Sequence, residues 1–164
     1  MTRRGALAVA RRATRHGVPF HIALHIAFAA RKLDLRYALG FALVEQESDF
    51  VHCYGHDRGG LYPGKPVTRA NYAAFRSRIV RSSGVGANGV GLTQVTYWTY
   101  IRDHAGLWRK RANVYFGLGL VASTIHAKGE REGLAEYNGG EGNPQFGYAD
   151  EVLARAQTWR SRIE

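Results

Sequence analysis

Residues 35–48 constrain the fold more than any other segment of the 164-residue chain. When this segment is drawn as a helix, apolar side chains lie on nearly all of its sides. They are Leu35, Tyr37, Ala38, Leu39, Phe41, Ala42, Leu43 and Val44. A helix that is apolar all round is stable only when it is buried. The segment therefore predicts a central helix around which other elements pack.

The rest of the sequence predicts more helices, separated by glycine-rich loops. The helical patterns cover about 5–15, 19–32, 71–81, 96–105, 113–128, a short stretch ending near 137, and 148–163. Pro19 suits a first helical turn, Asn113 an N-cap, and Gly129 a helix terminator. Loops are expected at 52–66, with a short hairpin, and at 82–91, and a turn is expected at 138–140.

No internal repeat or linker divides the sequence. We therefore expect a mainly α protein in which residues 1–164 form a single domain. Within it, residues 1–18 would form a basic N-terminal helix and residues 58–88 a loop-rich insertion. An apolar content of 45% and a charged content of 22% are typical of folded domains and argue against disorder. Cys53 is the only cysteine, so no internal disulfide can form.

The formal net charge of +10 predicts an anionic partner: nucleic acid, anionic lipid or an anionic cell wall. Charge alone favours nucleic acid. No helix-turn-helix, zinc-finger or RNA-binding motif accompanies it, so we expect no specific nucleic-acid partner. The apolar run at 5–10 is too short for the core of a signal peptide. Without a signal peptide, the protein would be made in the cytoplasm and released by other means.

Two carboxylates, Glu45 and Glu47, lie at the end of the apolar helix. Desolvation and the negative end of a helix dipole both raise the pKa of a carboxyl in such a place, which suits a general acid. The alternative is that both glutamates lie at a solvated, frayed helix end. They are about 200° apart on the helix, so position alone does not choose between them.

Four segments, in order, resemble the motifs of soluble lytic transglycosylases and goose-type lysozymes. Glu47-Ser48 follows the apolar helix, and Gly91-Leu92-Thr93-Gln94 follows a glycine-rich loop. Glu136-Tyr137-Asn138-Gly139-Gly140 comes next, and residues 148–157 are similar to the final helix of goose-type lysozymes. The resemblance covers about residues 35–160. Each motif is weak alone, and their shared order makes the signal specific.

This resemblance implies a lysozyme-like fold and cleavage of bacterial peptidoglycan, with Glu47 rather than Glu45 as the catalytic acid. It implies that Ser48 supports the site. It also implies a sugar groove lined by Gln94, Tyr137, Asn138 and Tyr148. Amides and hydroxyls suit the polar groups of amino sugars, and aromatic faces stack on sugar rings. The expected protein is a monomer that needs no cofactor.

The sequence departs from the goose-type pattern in two respects. The segment between the first two motifs is long, and it resembles versions from phages and their actinobacterial hosts, which favours an endolysin catalytic domain. Of two family aspartates beyond the acid, one is matched by Asp57, whereas Thr96 occupies the place of the other. A family histidine is matched by Tyr100. We expect hydrolysis with Asp57 positioning water; the alternative is a lytic transglycosylase that forms 1,6-anhydro ends.

Other interpretations of the same residues remain open. His52, Cys53, His56 and Asp57 are close in sequence, but they form an incomplete metal signature and we expect no metal. A non-catalytic module that binds wall sugars would keep the groove without needing a buried acid. The positive charge would then still hold the protein on an anionic cell-wall surface.

Overall fold

A computed structural model of the chain describes residues 2–164. Within these residues there are eight α-helices, a single 3-10 turn at Gly91–Thr93, and no strand beyond isolated bridges. The helices are α1 (Arg3–Thr14), α2 (Phe20–Lys32), α3 (Tyr37–Ser48), α4 (Arg69–Arg81), α5 (Trp98–Asp103), α6 (Lys110–Lys128), α7 (Glu130–Gly139) and α8 (Phe146–Ile163). The prediction of a mainly α protein is confirmed. Among the residues described, no helix has the length and apolar character needed to cross a bilayer.

Three local predictions are wrong. Asn113 is no N-cap, because α6 begins at Lys110 and its amide bonds instead to the 90–93 segment. Asn138 and Gly139 belong to the last turn of α7, and Gly140 follows as its C-cap with a φ of 82°. The hairpin at 52–66 is reduced to an isolated bridge between Cys53 and Pro66.

The chain divides into two compact units. The helical unit comprises the chain up to Gln46 and from Leu118 onward, and the loop unit comprises Glu47–Gly117. The boundaries fall inside α3 and α6, so both helices contribute residues to each unit. That the whole chain acts as one catalytic domain stays a prediction.

The helical unit packs its helices closely through small side chains. Helix α1 lies against α2 and α8, and α7 lies against α8. The buried face of α1 carries Ala6, Val9, Ala10 and Ala13. On α3, the Phe41 ring lies 5.2 Å from the Trp159 ring of α8, between centroids. Residues Tyr37–Val44 of α3 are all buried, as the apolar pattern predicts.

The loop unit has its own aromatic core. Tyr54, Tyr72, Phe75 and Ile79 are almost fully buried in it. A capping box between Thr68 and Asn71 begins α4. Buried Asn88 holds the inserted loop: its Nδ2 donates to Gly55 O (2.8 Å), and its Oδ1 accepts from Tyr62 N (2.9 Å).

Candidate active site

Glu47 lies in the last turn of α3 and is half-buried. The chain leaves this helix abruptly, because Asp49 and Phe50 both adopt the left-handed conformation, with φ of 48° and 61°. Each such residue that is not glycine costs roughly 1–2 kcal/mol. Two consecutive ones, beginning two residues after Glu47, mark a strained corner, and such corners concentrate at functional sites.

Glu45 has a different environment two residues earlier. One of its carboxylate oxygens lies 3.2 Å from Arg155 Nη1, and Arg155 also donates to Gln46 Oε1 (2.6 Å). The Glu45 carboxylate is thus held by a guanidinium through a charge-assisted contact, which helical spacing alone does not reveal.

Ser48 connects the first motif to the second. Its Oγ donates to Leu92 O at 2.9 Å, and Leu92 is the middle residue of the 3-10 turn Gly91–Thr93. Gly91 adopts a φ of 75°, and a Cβ there would lie 2.7 Å from both Asn113 Nδ2 and His52 Cε1. Only glycine fits this position, so the second motif owes its glycine to backbone conformation and to crowding.

The Gln94 side chain is fixed by the backbone around it. Its Nε2 donates to Gly91 O (2.6 Å) and to Cys53 O (3.2 Å), which uses both amide hydrogens. A Cβ on either Gly55 or Gly89 would lie 2.4 Å from Gln94 Oε1. Gln94 therefore has a structural role, and any polar contact with a ligand is left to its Oε1.

Asp57 and Gln94 meet over Gly55. Asp57 Oδ2 accepts from Gly89 N at 2.7 Å. The Cβ position of Gly55 lies 2.6 Å from Asp57 Oδ2 and 2.4 Å from Gln94 Oε1. Two predicted residues from distant parts of the sequence thus share one small region. Asp57 itself is exposed, so its carboxylate is open to water.

Thr96 and Tyr100 follow this region along the chain. Thr96 is exposed, and its Oγ1 donates to Gln94 O at 3.0 Å. The Tyr100 ring packs edge-on against Tyr97 and Phe116, with centroids 5.3 Å apart in each case. Tyr100 is half-buried in the core of the loop unit, so it serves packing as well as any contact with substrate.

The other predicted residues belong to the helical unit. The Tyr137 ring on α7 and the Tyr148 ring on α8 lie 6.5 Å apart between centroids, at an angle of 39°. Asn138 is exposed in the last turn of α7. The structure thus pairs the two tyrosines. The predicted groove would draw on residues of both units, and it stays a prediction.

Sequence reasoning missed the residues that hold the second motif in place. Asn113 is fully buried: its Oδ1 accepts from Thr93 N (3.0 Å), and its Nδ2 donates to Val90 O (2.8 Å). His52 Nε2 lies 2.8 Å from Trp108 O, and burial lowers the pKa of this histidine. The sequence did not reveal these bonds, because an asparagine near the predicted start of a helix is also typical of an N-cap.

Among residues 2–164, no three His, Cys, Asp or Glu side chains are grouped closely enough to hold a metal ion. Comparisons of the chain with protein-family models, with curated proteins and with solved structures give no match. The ordered motifs and the geometry around them are therefore the basis for assigning a function.

Proposed function

We propose that this protein cleaves the glycan strands of bacterial peptidoglycan, at the β-1,4 bond between N-acetylmuramic acid and N-acetylglucosamine, on a lysozyme-like fold. Glu47 is its general acid. The observation that carries the proposal is the position of Glu47. It ends a helix whose residues Tyr37–Val44 are all buried, and its neighbour Ser48 bonds to the Gly91–Thr93 turn.

In this proposal Glu47 donates its proton to the glycosidic oxygen as the bond breaks through an oxocarbenium-like state. Glu47 is half-buried at the carboxyl end of α3, a position that suits a general acid. Glu45, whose carboxylate pairs with Arg155, is not assigned this role. Gln94, Tyr137, Asn138 and Tyr148 would contact the sugars, and no cofactor is needed.

Asp57 is the residue proposed to position water at C1 of muramic acid. Gly89 N holds its Oδ2, and such a bond fixes the orientation of a carboxylate that accepts a proton through its other oxygen. Hydrolysis would follow. The natural setting we favour is phage-mediated lysis, and the arginine-rich surface would hold the enzyme on an anionic wall.

A second outcome is favoured by Thr96. This hydroxyl donates to a backbone carbonyl where the goose-type pattern has a second aspartate, and a threonine does not act as a base at neutral pH. With one carboxylate fewer, the C6 hydroxyl of the sugar would close onto C1 and leave a 1,6-anhydro end. Bacterial wall remodelling would then be the natural setting.

Clearing of purified cell walls tests the acid. Glu47→Gln keeps the shape of the side chain but has no proton to give, so we expect a rate loss of roughly 10²–10⁴. Glu45→Gln is the matched control, two residues away on the same helix, and should remain within a few-fold of the parent. A dead Glu45→Gln with an active Glu47→Gln would reverse the assignment. Wall binding by a parent protein that clears nothing would indicate a binding module.

Mass spectrometry of the digested walls separates the two chemical outcomes. Hydrolysis leaves reducing ends, and an anhydro end is lighter by one water. We expect reducing ends from the parent protein and a large loss of activity in Asp57→Asn. Predominantly anhydro ends, with Asp57→Asn still active, would assign transglycosylase chemistry and remove Asp57 from the mechanism.

A further inference from the structure

A straight line of arginines runs along the exposed face of α1. Arg4, Arg11 and Arg15 are all exposed, and Arg15 continues the helix as its C-cap with φ −67° and ψ −14°. Their spacing of seven and four residues places them within about 40° of one another around the helix, over a length of about 16 Å. The face opposite carries Ala6, Val9, Ala10 and Ala13 and is buried. We call Arg4, Arg11 and Arg15 the arginine row.

The arginine row ends at a surface cavity of about 300 Å³ between the end of α1 and the last turn of α8. Arg12, Arg15, His16 and Arg162 line this cavity, together with Ser161, Ile163 and Glu164. Arg12 is fixed, because its Nη1 donates to Ile163 O (2.8 Å) and Glu164 O (3.3 Å). The Arg162 guanidinium lies over the Trp159 ring, 5.1 Å from its centroid. The cavity therefore brings three arginines together at one end of the row.

Acidic side chains are scarce around the arginine row, and Glu164 is the only one that lines the cavity. The first acidic residue in the sequence is Asp34, so neither α1 nor α2 carries one. On α8, Asp150 pairs with Arg131, and Glu164 lies 3.5 Å from Arg160. In the described part of the chain no carboxylate forms an ion pair with Arg4, Arg11, Arg15 or Arg162. Such an uncompensated row attracts an anionic ligand from outside.

We propose, on the basis of the cell-wall setting of the proposed function, that the arginine row and its cavity bind a flexible, single-chain polymer of phosphodiesters, of the polyol-phosphate kind that bacterial cell walls carry. Guanidinium groups recognise phosphate with paired hydrogen bonds. The row presents charges at separations of about 6 and 10 Å, which a chain with a phosphate on each short repeat can follow. The cavity would take one phosphate at the end of the row, between Arg15 and Arg162.

A bilayer is a poorer occupant for this surface. Helices that lie in a membrane interface present Trp, Phe or Leu beside their cations. Along the arginine row the only neighbour on the same line is Ala8, and no large hydrophobic side chain of α1 is exposed. The site therefore suits binding by charge and hydrogen bonds, without insertion of apolar groups.

The test compares two sets of three substitutions that remove the same charge. One variant replaces Arg4, Arg11 and Arg15 with Gln. The control replaces Arg69, Arg78 and Arg81 of α4, which are also exposed. Binding to purified polyglycerol phosphate and to linear polyphosphate is measured over a range of salt concentrations. Because each phosphate contact releases counterions, we expect the first variant to bind about tenfold more weakly, with a log–log salt slope smaller by about 2. The control should change by less than about twofold.

Further measurements separate this proposal from its rivals. Replacing the same three arginines with Lys keeps the charge but loses the paired hydrogen bonds, so its binding should lie between those of the parent and the Gln variant. An unchanged thermal unfolding transition of the Gln variant excludes a folding defect. Glu47→Gln should bind as the parent does, so failure of the proposed cleavage leaves this result intact. Equal losses in both Gln variants would overturn the proposal in favour of diffuse charge. Tighter, row-dependent binding to phosphatidylglycerol vesicles or to duplex DNA would replace the polymer with that partner.

Discussion

The two units of this protein are stabilised in contrasting ways. In the helical unit, alanines let α1 approach α2 and α8, and large rings such as Phe41 and Trp159 fill the centre. In the loop unit, buried amides from Asn88 and Asn113 take the place of regular backbone pairing. We expect the stability of the helical unit to change little with small changes in packing, whereas the stability of the loop unit should depend on individual hydrogen bonds. The candidate acid, Glu47, begins the second unit.

Asn113→Ala should be the most damaging test of this contrast. It removes the acceptor of Thr93 N and one of the two donors to Val90 O, which keeps its bond from Val95 N (3.2 Å). Loss of a partner at a buried polar group costs about 1–3 kcal/mol, and the empty space left by the side chain adds to it. We expect the free energy of unfolding, measured with urea, to fall by about 3 kcal/mol. Asn143→Ala in the helical unit, at an exposed site, should change it by less than about 0.5 kcal/mol. A loss below about 1 kcal/mol for Asn113→Ala would refute the dependence on single amides.

Two glycines of α6 give a sharper comparison within one helix. A Cβ on Gly117 would lie 2.2 Å from Thr93 Oγ1, whereas a Cβ on Gly119 would meet nothing within 4 Å. Gly117→Ala should therefore destabilise the protein by about 1–3 kcal/mol through overpacking. Gly119→Ala should stabilise it by about 0.5–1 kcal/mol, since alanine is the better helix former. Thermal unfolding of both variants tests this comparison. A change in stability of the same sign for both would contradict the described packing.

The smallest expected effect concerns pH and His52. Burial lowers the pKa of His52 below its usual 6.5, and its Nδ1 has no hydrogen-bond partner within residues 2–164. Because the folded state favours the neutral ring, its stabilisation is complete above about pH 6.5 and is lost as the pH falls toward the lowered pKa. The slope is at most about 1.4 kcal/mol per pH unit.

Unfolding titrations between pH 7.5 and 5 check this expectation. The pH dependence of the parent protein should exceed that of His52→Gln over the range below 6.5. His126→Gln, at an exposed position of α6, is the control and should keep the parent's dependence. If His52→Gln loses stability with falling pH as steeply as the parent, another group is responsible.

The same contrast explains what the sequence could predict. The apolar pattern of 35–48 predicted α3 to within about two residues. Pro19 and Gly129 likewise marked the start of α2 and the end of α6, because burial and capping are local signals. The role of Asn113 was hidden, since its partners lie at Val90 and Thr93 on another element. Loop geometry of this kind depends on contacts that no local pattern encodes.

Within the candidate site the division is similar. Glu47 and Ser48 could be identified from the end of the apolar helix and the ordered motifs. Only the structure shows that the side chains of Asp57 and Gln94 approach each other beside Gly55. The same holds for the ion pair between Glu45 and Arg155. Both involve residues more than 35 positions apart in the chain. Sequence alone could rank them as candidates but could not show which side chains meet.

Cys53 gives the protein a native chemical reporter. It is the only thiol in the sequence and is half-buried, and burial raises the pKa of its sulfur. Its carbonyl accepts from Gly91 N (2.9 Å) and from Gln94 Nε2 (3.2 Å), so the residue is joined directly to the second motif. A thiol reagent would therefore modify it slowly in the closed state and faster whenever this turn opens. The rate of labelling therefore measures how often the turn opens, without any engineered probe.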